Sequence, residues 1–434
     1  MKPKRLILCD FDGTISIEDT GYILFAQFSS GDSEAIDREF REGKIGSREA
    51  YARIAEIFRG KEPTIRRFIE QHSRIDPYFR SFCRACREAG IDIKIVSDGL
   101  DFYIRTILEI HHLSDIPFYA NHARFVDAER LAIDFPFFND ACGHCGTCKK
   151  RLVELHRKNY DSIFFIGNGL SDRCGAREAD FTFAKDSLYP YCIEQDILCH
   201  FYHDFGEILR DLKKQIRGLI FDLDGTLIEA YEAIYLGLAE AFRSFERPIF
   251  PPTDLKRNLK ADLEATFAPF FSSEEVSRAI PIFRKKYEEV YLEKTRFLDG
   301  AKRVLESLVQ KGVSLAIASN KLGRFSRSTL THLEVAGYFR SILGAGDGLR
   351  NKPFPDLILA SLKEIDLPPE NVVFVGDSVE DIEAGRRAGV DVYAVPTGSH
   401  SKLELSQTRP KMILNSLHEL IPLIGDSKIP LLKS

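Results

Sequence analysis

No cysteine follows residue 199: Cys9, Cys83, Cys86, Cys142, Cys145, Cys148, Cys174, Cys192 and Cys199 all lie before residue 200 of the 434-residue chain. An odd, one-sided set in a chain of this size is not the disulfide framework of a small secreted protein. It points instead to two halves with separate histories. Also missing is any run of about 18 apolar residues, which a membrane span requires. Positive charge is not in excess either: the net charge is −5, which argues against a general affinity for nucleic acid, since that needs clustered basic residues. Met1-Lys2-Pro3-Lys4-Arg5 leads straight into an apolar strand. No cleaved signal peptide is therefore expected, and a cytoplasmic location is. What is present, 44% hydrophobic and 29% charged residues, is the balance of a folded soluble protein long enough for two ordinary domains.

One pattern occurs twice. Leu6-Ile7-Leu8-Cys9-Asp10-Phe11-Asp12-Gly13-Thr14 returns as Leu219-Ile220-Phe221-Asp222-Leu223-Asp224-Gly225-Thr226. Each is a short apolar run ending abruptly in D-x-D-G-T, and such a run reads as a buried strand of a parallel sheet. From average residue usage, one D-x-D-G-T arises by chance at on the order of 1 in 100,000 positions. Further apolar runs follow at 91–96, 162–166 and 181–183, and again at 313–318, 371–375 and 390–395, with amphipathic stretches such as 301–311 between them. The alternation predicts an α/β protein of two doubly wound parallel-sheet domains, spanning residues 1–212 and 213–434. The long segments at about 16–77 and about 228–297 read as helical caps inserted after each first strand. Residues of about 117–136 read as a hairpin around Asp127-Ala128-Glu129.

In such sheets ligands sit beyond the carboxyl ends of the strands, which is where the paired aspartates fall. A carboxylate can attack phosphorus and form an acyl phosphate that water later hydrolyses. A second acid two residues on can protonate the leaving oxygen and then activate the water. That logic makes Asp10 and Asp222 nucleophiles, and Asp12 and Asp224 their acid/base partners. Gly13 and Gly225 allow a sharp turn, and Thr14 and Thr226 add a hydroxyl and a backbone donor. One isolated motif would read equally well as a strand ending in an Asp-rich turn; two copies with matching partners do not. Ser97-Asp98 and Ser319-Asn320 follow equivalent strands and are assigned to phosphate binding. Lys149, with Lys150 as its rival, and Lys352, ahead of Pro353, are assigned to neutralising the phosphate. Oxygen ligands for a metal come from Asp377 and Asp381, and from Asn168 and Asp172 at the matching place in the first half.

These four elements in this order resemble the haloacid dehalogenase superfamily of phosphotransferases over nearly the whole chain. The resemblance implies one magnesium ion per domain, held by Asp10 or Asp222, by the backbone carbonyl of Asp12 or Asp224, and by the fourth element. The first half resembles the phosphoserine phosphatase branch, and within it, through Ser97-Asp98-Gly99-Leu100-Asp101, Cys145-Gly146-Thr147-Cys148-Lys149 and Ser171-Asp172-Arg173, the methionine-salvage phosphatases. The second half, with Asn351-Lys352-Pro353-Phe354-Pro355, resembles the phosphoglycolate phosphatases. The implied partner is a small phosphorylated metabolite, not a nucleic acid or a membrane. Asn168 departs from the pattern: an amide oxygen brings no charge, so a weaker metal site is expected there. Two other readings stay open, a first domain that binds a phosphorylated ligand without turnover, and a phosphomutase.

Cys142, Cys145 and Cys148, with His144 among them, have spacing that admits zinc, with Cys83 and Cys86 as possible recruits. The resemblance accounts for the same run as a loop that positions Lys149.

Overall fold

The computed structural model describes residues 3–260 and 262–424. The chain divides into two compact units at Lys213 and Lys214. In the first, the strands are β1 (Arg5–Cys9), β2 (Ile91–Leu100), β3 (Phe118–Phe125), β4 (Leu131–Asp134), β5 (Ser162–Gly167), β6 (Phe181–Ala184) and β7 (Cys199–Phe201). Their order is β7-β6-β5-β1-β2-β3-β4. Every pairing is parallel except β3 with β4. All five residues of β1 are buried, because helices cover both faces of the sheet; a strand so placed is apolar throughout rather than alternating.

The second unit repeats the scheme. Its strands are β8 (Gly218–Phe221), β9 (Ile228–Glu229), β10 (Arg296–Phe297), β11 (Ser314–Leu322), β12 (Phe339–Ala345), β13 (Val372–Gly376), β14 (Asp391–Ala394) and β15 (Met412–Ile413). The sheet runs β12-β11-β8-β13-β14-β15, all parallel, while β9 and β10 form a separate antiparallel ribbon. In both units the first strand lies between strands that continue the chain in opposite directions across the sheet, β2 and β5 in one, β11 and β13 in the other. Such a reversal opens a crevice at the carboxyl ends.

Helices Thr20–Phe28, Ser33–Arg41, Ser47–Ile57 and Glu62–His72 fill the stretch between β1 and β2. Asp19 and Asp32 start the first two by accepting the orphan amides of Tyr22 and Ala35. Between β8 and β11 stand Tyr231–Ser244, Leu255–Asn258, Leu263–Phe267 and Ser273–Lys294, which pack on a cluster including Phe242, Phe267, Phe271, Phe283 and Tyr287. The longest is opened by a capping box of Ser272 and Glu275.

Two strands run further than their apolar residues suggest. β2 continues through Ser97 to Leu100, and β11 through Ser319 to Leu322, each across a register shift with its neighbour. Strands β7, β12 and β15 are not legible as apolar runs, since two are very short and β12 is mostly half-buried. Among the described residues no helix is long and apolar enough to cross a membrane.

Candidate active sites

The end of β1 carries Asp10, whose amide donates to Ile166 in β5 at 2.9 Å. Lys149 opens helix Lys149–Arg157 and is fully buried. Its ammonium donates to Asp10 Oδ1 at 2.6 Å and Asp172 Oδ1 at 2.5 Å. Lys150, the rival, turns away to Glu178 at 2.7 Å. One residue of helical rotation separates the two lysines by about 100°, so only the first reaches the strand end. The other oxygen of Asp172 accepts the amides of Asn168 and Gly169, both at 2.9 Å. Thr14 Oγ1 lies 3.3 Å from both Asp10 Oδ2 and Asn168 Oδ1.

The second site is built alike at the end of β8. Lys352 donates to Asp222 Oδ1 at 2.6 Å and to Asp381 Oδ1 at 2.5 Å. Asp381 Oδ2 accepts the amides of Asp377 and Ser378 at 3.1 and 3.0 Å. Thr226 donates to Asp377 Oδ1 at 2.9 Å. The glycine of each D-x-D-G-T has positive φ, +70° at Gly13 and +85° at Gly225; a Cβ there would stand 2.4 Å from Asn168 Nδ2 or 2.7 Å from Asp377 Oδ2. Glycine thus lets the first motif press against the fourth.

The second aspartates differ sharply in their partners. Asp12 accepts the hydroxyl of Tyr103 at 2.5 Å and the amide of Thr20 at 3.0 Å. Asp224 instead accepts the ammonium of Lys321 at 2.9 and 3.0 Å, and Lys321 also bonds Tyr287 of the cap. Neither Tyr103 nor Lys321 is evident from motif logic, although Lys321 directly follows Ser319-Asn320 on an extended β11.

Burial, then the neighbouring Asp172, pushes the carboxyl of Asp10 up against the opposing pull of Lys149. Burial raises Asp222 likewise, with Lys352 pulling down and Asp381 up. Asp377 is driven well above the carboxylate range by burial and then by Asp222 and Asp381. Asp12 is raised by burial and Asp19. Burial alone would lower both lysines, yet their paired aspartates win and hold the ammoniums charged.

Four residues assigned from the motifs make hydrogen bonds that the motifs do not announce. Asp98 Oδ1 accepts the Thr147 amide at 2.8 Å and Asn121 Nδ2 at 3.2 Å, and so ties down the loop ahead of Lys149. Asn320 does the equivalent work in the second unit, accepting the Lys352 amide at 2.8 Å and donating to its carbonyl at 3.0 Å. Asp172 and Asp381, assigned to the metal, each give one oxygen to the lysine and the other to two amides. Asp381 still contributes to a buried group in which oxygens of Asp222, Asp377 and Asp381 lie within 4.8 Å of one another. Ser97 and Ser319 are both buried beside their sites, where Ser97 Oγ accepts the Gly99 amide and Ser319 Oγ the Lys321 amide. Over the first site lies a cavity of about 510 Å³, walled by Asp10, Asp12, Ser97 and Asn168 below and by Tyr22, Phe25, Arg41, Tyr51 and Ile54 of the cap, with Arg173 at the side.

Comparison with known proteins finds a haloacid dehalogenase-like hydrolase pattern twice, over residues 7–177 and 219–395. A 2-hydroxy-3-keto-5-methylthiopentenyl-1-phosphate phosphatase of Brevibacillus brevis is 29% identical over 220 residues, which is 49% of this chain and 97% of that protein. A phosphoglycolate phosphatase of Aquifex aeolicus is 30% identical over 211 residues, 49% of this chain and 98% of that one. Among solved structures, a putative phosphoglycolate phosphatase from Lactobacillus delbrueckii subsp. bulgaricus matches at 26% identity and a TM-score of 0.46, covering 49% of this chain and 100% of its own.

Proposed function

The chain belongs to the haloacid dehalogenase-like hydrolases as two copies in tandem, and from that premise we propose that it is a magnesium-dependent phosphatase of small phosphorylated metabolites with a catalytic centre in each unit. The observation that carries the reading is the repeated strand end. In each unit a buried aspartate is held by a buried lysine at 2.6 Å, and a second aspartate stands two residues on.

In this reading the lysine fixes one oxygen of Asp10 or Asp222, and the other attacks phosphorus. The new carboxylate–phosphorus bond forms as the ester bond breaks, and Asp12 or Asp224 gives its proton to the departing oxygen. The same acid then takes a proton from the water that attacks the acyl phosphate, releasing inorganic phosphate and restoring the aspartate. Lys149 and Lys352 counter the negative charge of the phosphate throughout.

The second site suits a divalent cation: Asp222, Asp377 and Asp381 form a buried trio of carboxylates, with Lys352 as the cation bonded to two of them. Magnesium would be held by Asp222, the Asp224 carbonyl and Asp377, and would screen the repulsion between an anionic nucleophile and an anionic substrate. In the first unit Asp10, the Asp12 carbonyl and Asn168 offer the same set less one charge. That difference favours the further reading that the first unit is the weaker catalyst.

Substrates follow from the walls. Phe25, Tyr51 and Ile54, set against Arg41 and Arg173, fit a phosphorylated metabolite with an apolar tail, the type named for the Brevibacillus brevis relative. The second unit is assigned a small phosphorylated acid, as named for the Aquifex aeolicus relative. A phosphometabolite panel on wild type, Asp10→Asn, Asp222→Asn and the double variant tests this. Each single variant should lose its own subset of activities and the double variant all of them. Turnover retained in the double variant would end the proposal.

A further inference from the structure

Cys142 and Cys145 belong to the loop that precedes Lys149, and their sulfurs stand 3.7 Å apart. A third thiol joins them from a different element: Cys174, in helix Arg173–Glu178. The Sγ atoms of Cys142, Cys145 and Cys174 all lie within 4.8 Å of one another. Cys148, buried at the end of the same loop, has its sulfur 3.6 Å from Asn139 Nδ2. Cys83 and Cys86 take no part; both are buried on one face of helix Phe79–Glu88.

The dimensions are informative. Zinc–thiolate bonds of about 2.3 Å in a tetrahedron place sulfurs about 3.8 Å apart, which is the Cys142–Cys145 separation. Soft thiolate donors select zinc over magnesium or calcium. Lys150 and Arg177 bring positive charge to Cys174, which offsets the surplus negative charge of several thiolates on one divalent ion. The three thiols are half-buried, so an ion can enter without unfolding the unit.

We infer that Cys142, Cys145 and Cys174 form a zinc site of three thiolates, its fourth position left to water. Its placement gives it a purpose. Cys148 immediately precedes Lys149, and Cys174 lies two residues beyond Asp172, while Lys149 and Asp172 form the 2.5 Å ion pair of the first site. An ion bound here clamps the loop and the helix that carry both partners. Binding releases one proton per coordinated thiol and involves no change of oxidation state. This site stands apart from the phosphatase reading and would survive its failure.

The test uses the full-length chain, reduced, saturated with zinc and desalted. Elemental analysis should find about one zinc per chain. Anaerobic replacement by cobalt should produce the near-ultraviolet thiolate-to-cobalt charge-transfer absorption of a tetrahedral sulfur site. Cys174→Ser and Cys142→Ser, checked for native circular dichroism, should each lose that absorption and retain about tenfold less zinc against a fixed chelator. Cys86→Ser should change neither. The inference is overturned by any of three results: less than about half an equivalent of zinc, a cobalt spectrum that survives Cys174→Ser, or a Cys142–Cys145 disulfide recovered from protein kept under reductant. If Cys174→Ser fails to fold, the wild-type cobalt spectrum alone decides, since only a sulfur-rich site produces it.

Discussion

The exchange of one charge between the two sites gives the sharpest quantitative expectation. Asn168 and Asp377 occupy the same place, each beneath a left-handed glycine and each near a threonine hydroxyl. At the fourth element the first site has Asn168 and Asp172 and the second has Asp377 and Asp381, so the second offers one more carboxylate to a cation there. At an effective dielectric of about 20, two unit charges about 4 Å apart interact by about 4 kcal/mol, and a divalent ion doubles this. Desolvation of the buried carboxylate takes back most of the gain, which leaves a net of about 2 kcal/mol, or about 30-fold in affinity. Isothermal titration calorimetry of magnesium into the chelator-treated full chain should resolve a tight and a weak class of site. Asn168→Asp should tighten the weak class by about 30-fold, and Asp377→Asn should weaken the tight class by a similar factor. Without magnesium the signs reverse for stability: a carboxylate added beside Asp10 and Asp172 destabilises, and one removed from beside Asp222 and Asp381 stabilises. If neither substitution moves magnesium affinity by more than about threefold, the charge argument is wrong.

Three other outcomes check separate parts of the structure. Lys321→Met deprives Asp224 of its ammonium partner and should lower kcat of the second unit by about 10- to 100-fold with little change in KM, measured in an Asp10→Asn background. Asp98→Asn weakens the hold on the Thr147 amide and should lower first-unit turnover about tenfold, read in an Asp222→Asn background, while circular dichroism stays native. Ser272→Ala removes the capping box of helix Ser273–Lys294 and should cost about 1 kcal/mol in urea denaturation, without altering turnover at either strand end.

The parts of the sites that could be read from sequence are those where chemistry and backbone lie in consecutive residues. Asp10, Asp12 and Thr14 follow an apolar run directly, so the strand end, the turn and the proposed nucleophile are one signal; the same holds for Asp222, Asp224 and Thr226. Lys149 and Lys150 are adjacent and chemically alike, and only the direction of the first helical turn separates them. Tyr103 lies in a helix whose pattern reads as core, and its hydroxyl on Asp12 depends on how that helix meets β1. Asp98 and Asn320 were assigned by position after a strand, but position does not reveal whether a polar side chain faces the ligand or a neighbouring loop. Cys174 follows Asp172 closely in sequence, yet its approach to Cys145 depends on the packing of helix Arg173–Glu178 against helix Lys149–Arg157, which no local pattern encodes.

The tethers of the two lysines show what the repeated design preserves. A lysine that meets an aspartate at 2.6 Å in a buried site loses much side-chain entropy, and the segment that carries it needs an anchor on the sheet. The second unit supplies the anchor with a neutral amide, Asn320, bonded to both the N–H and the C=O of Lys352 itself. The first uses a carboxylate, Asp98, on the amide of Thr147 two residues earlier, with Asn121 from β3 bridging Asp98 and Thr147. A neutral tether adds no charge to a site that already holds three carboxylates. An anionic tether is tolerable where Asn168 has removed one. The residue at the end of the second strand and the residue at the fourth motif are thus linked through the total charge that the buried lysine must balance. Replacing Asn320 by Asp keeps an acceptor for the Lys352 amide but loses the donor to its carbonyl and adds a carboxylate near Lys352, so it should accordingly harm the second unit more than Asp98→Asn harms the first. Comparing kcat of the two variants, each with the other unit silenced, would reveal it, and equal losses would refute the link.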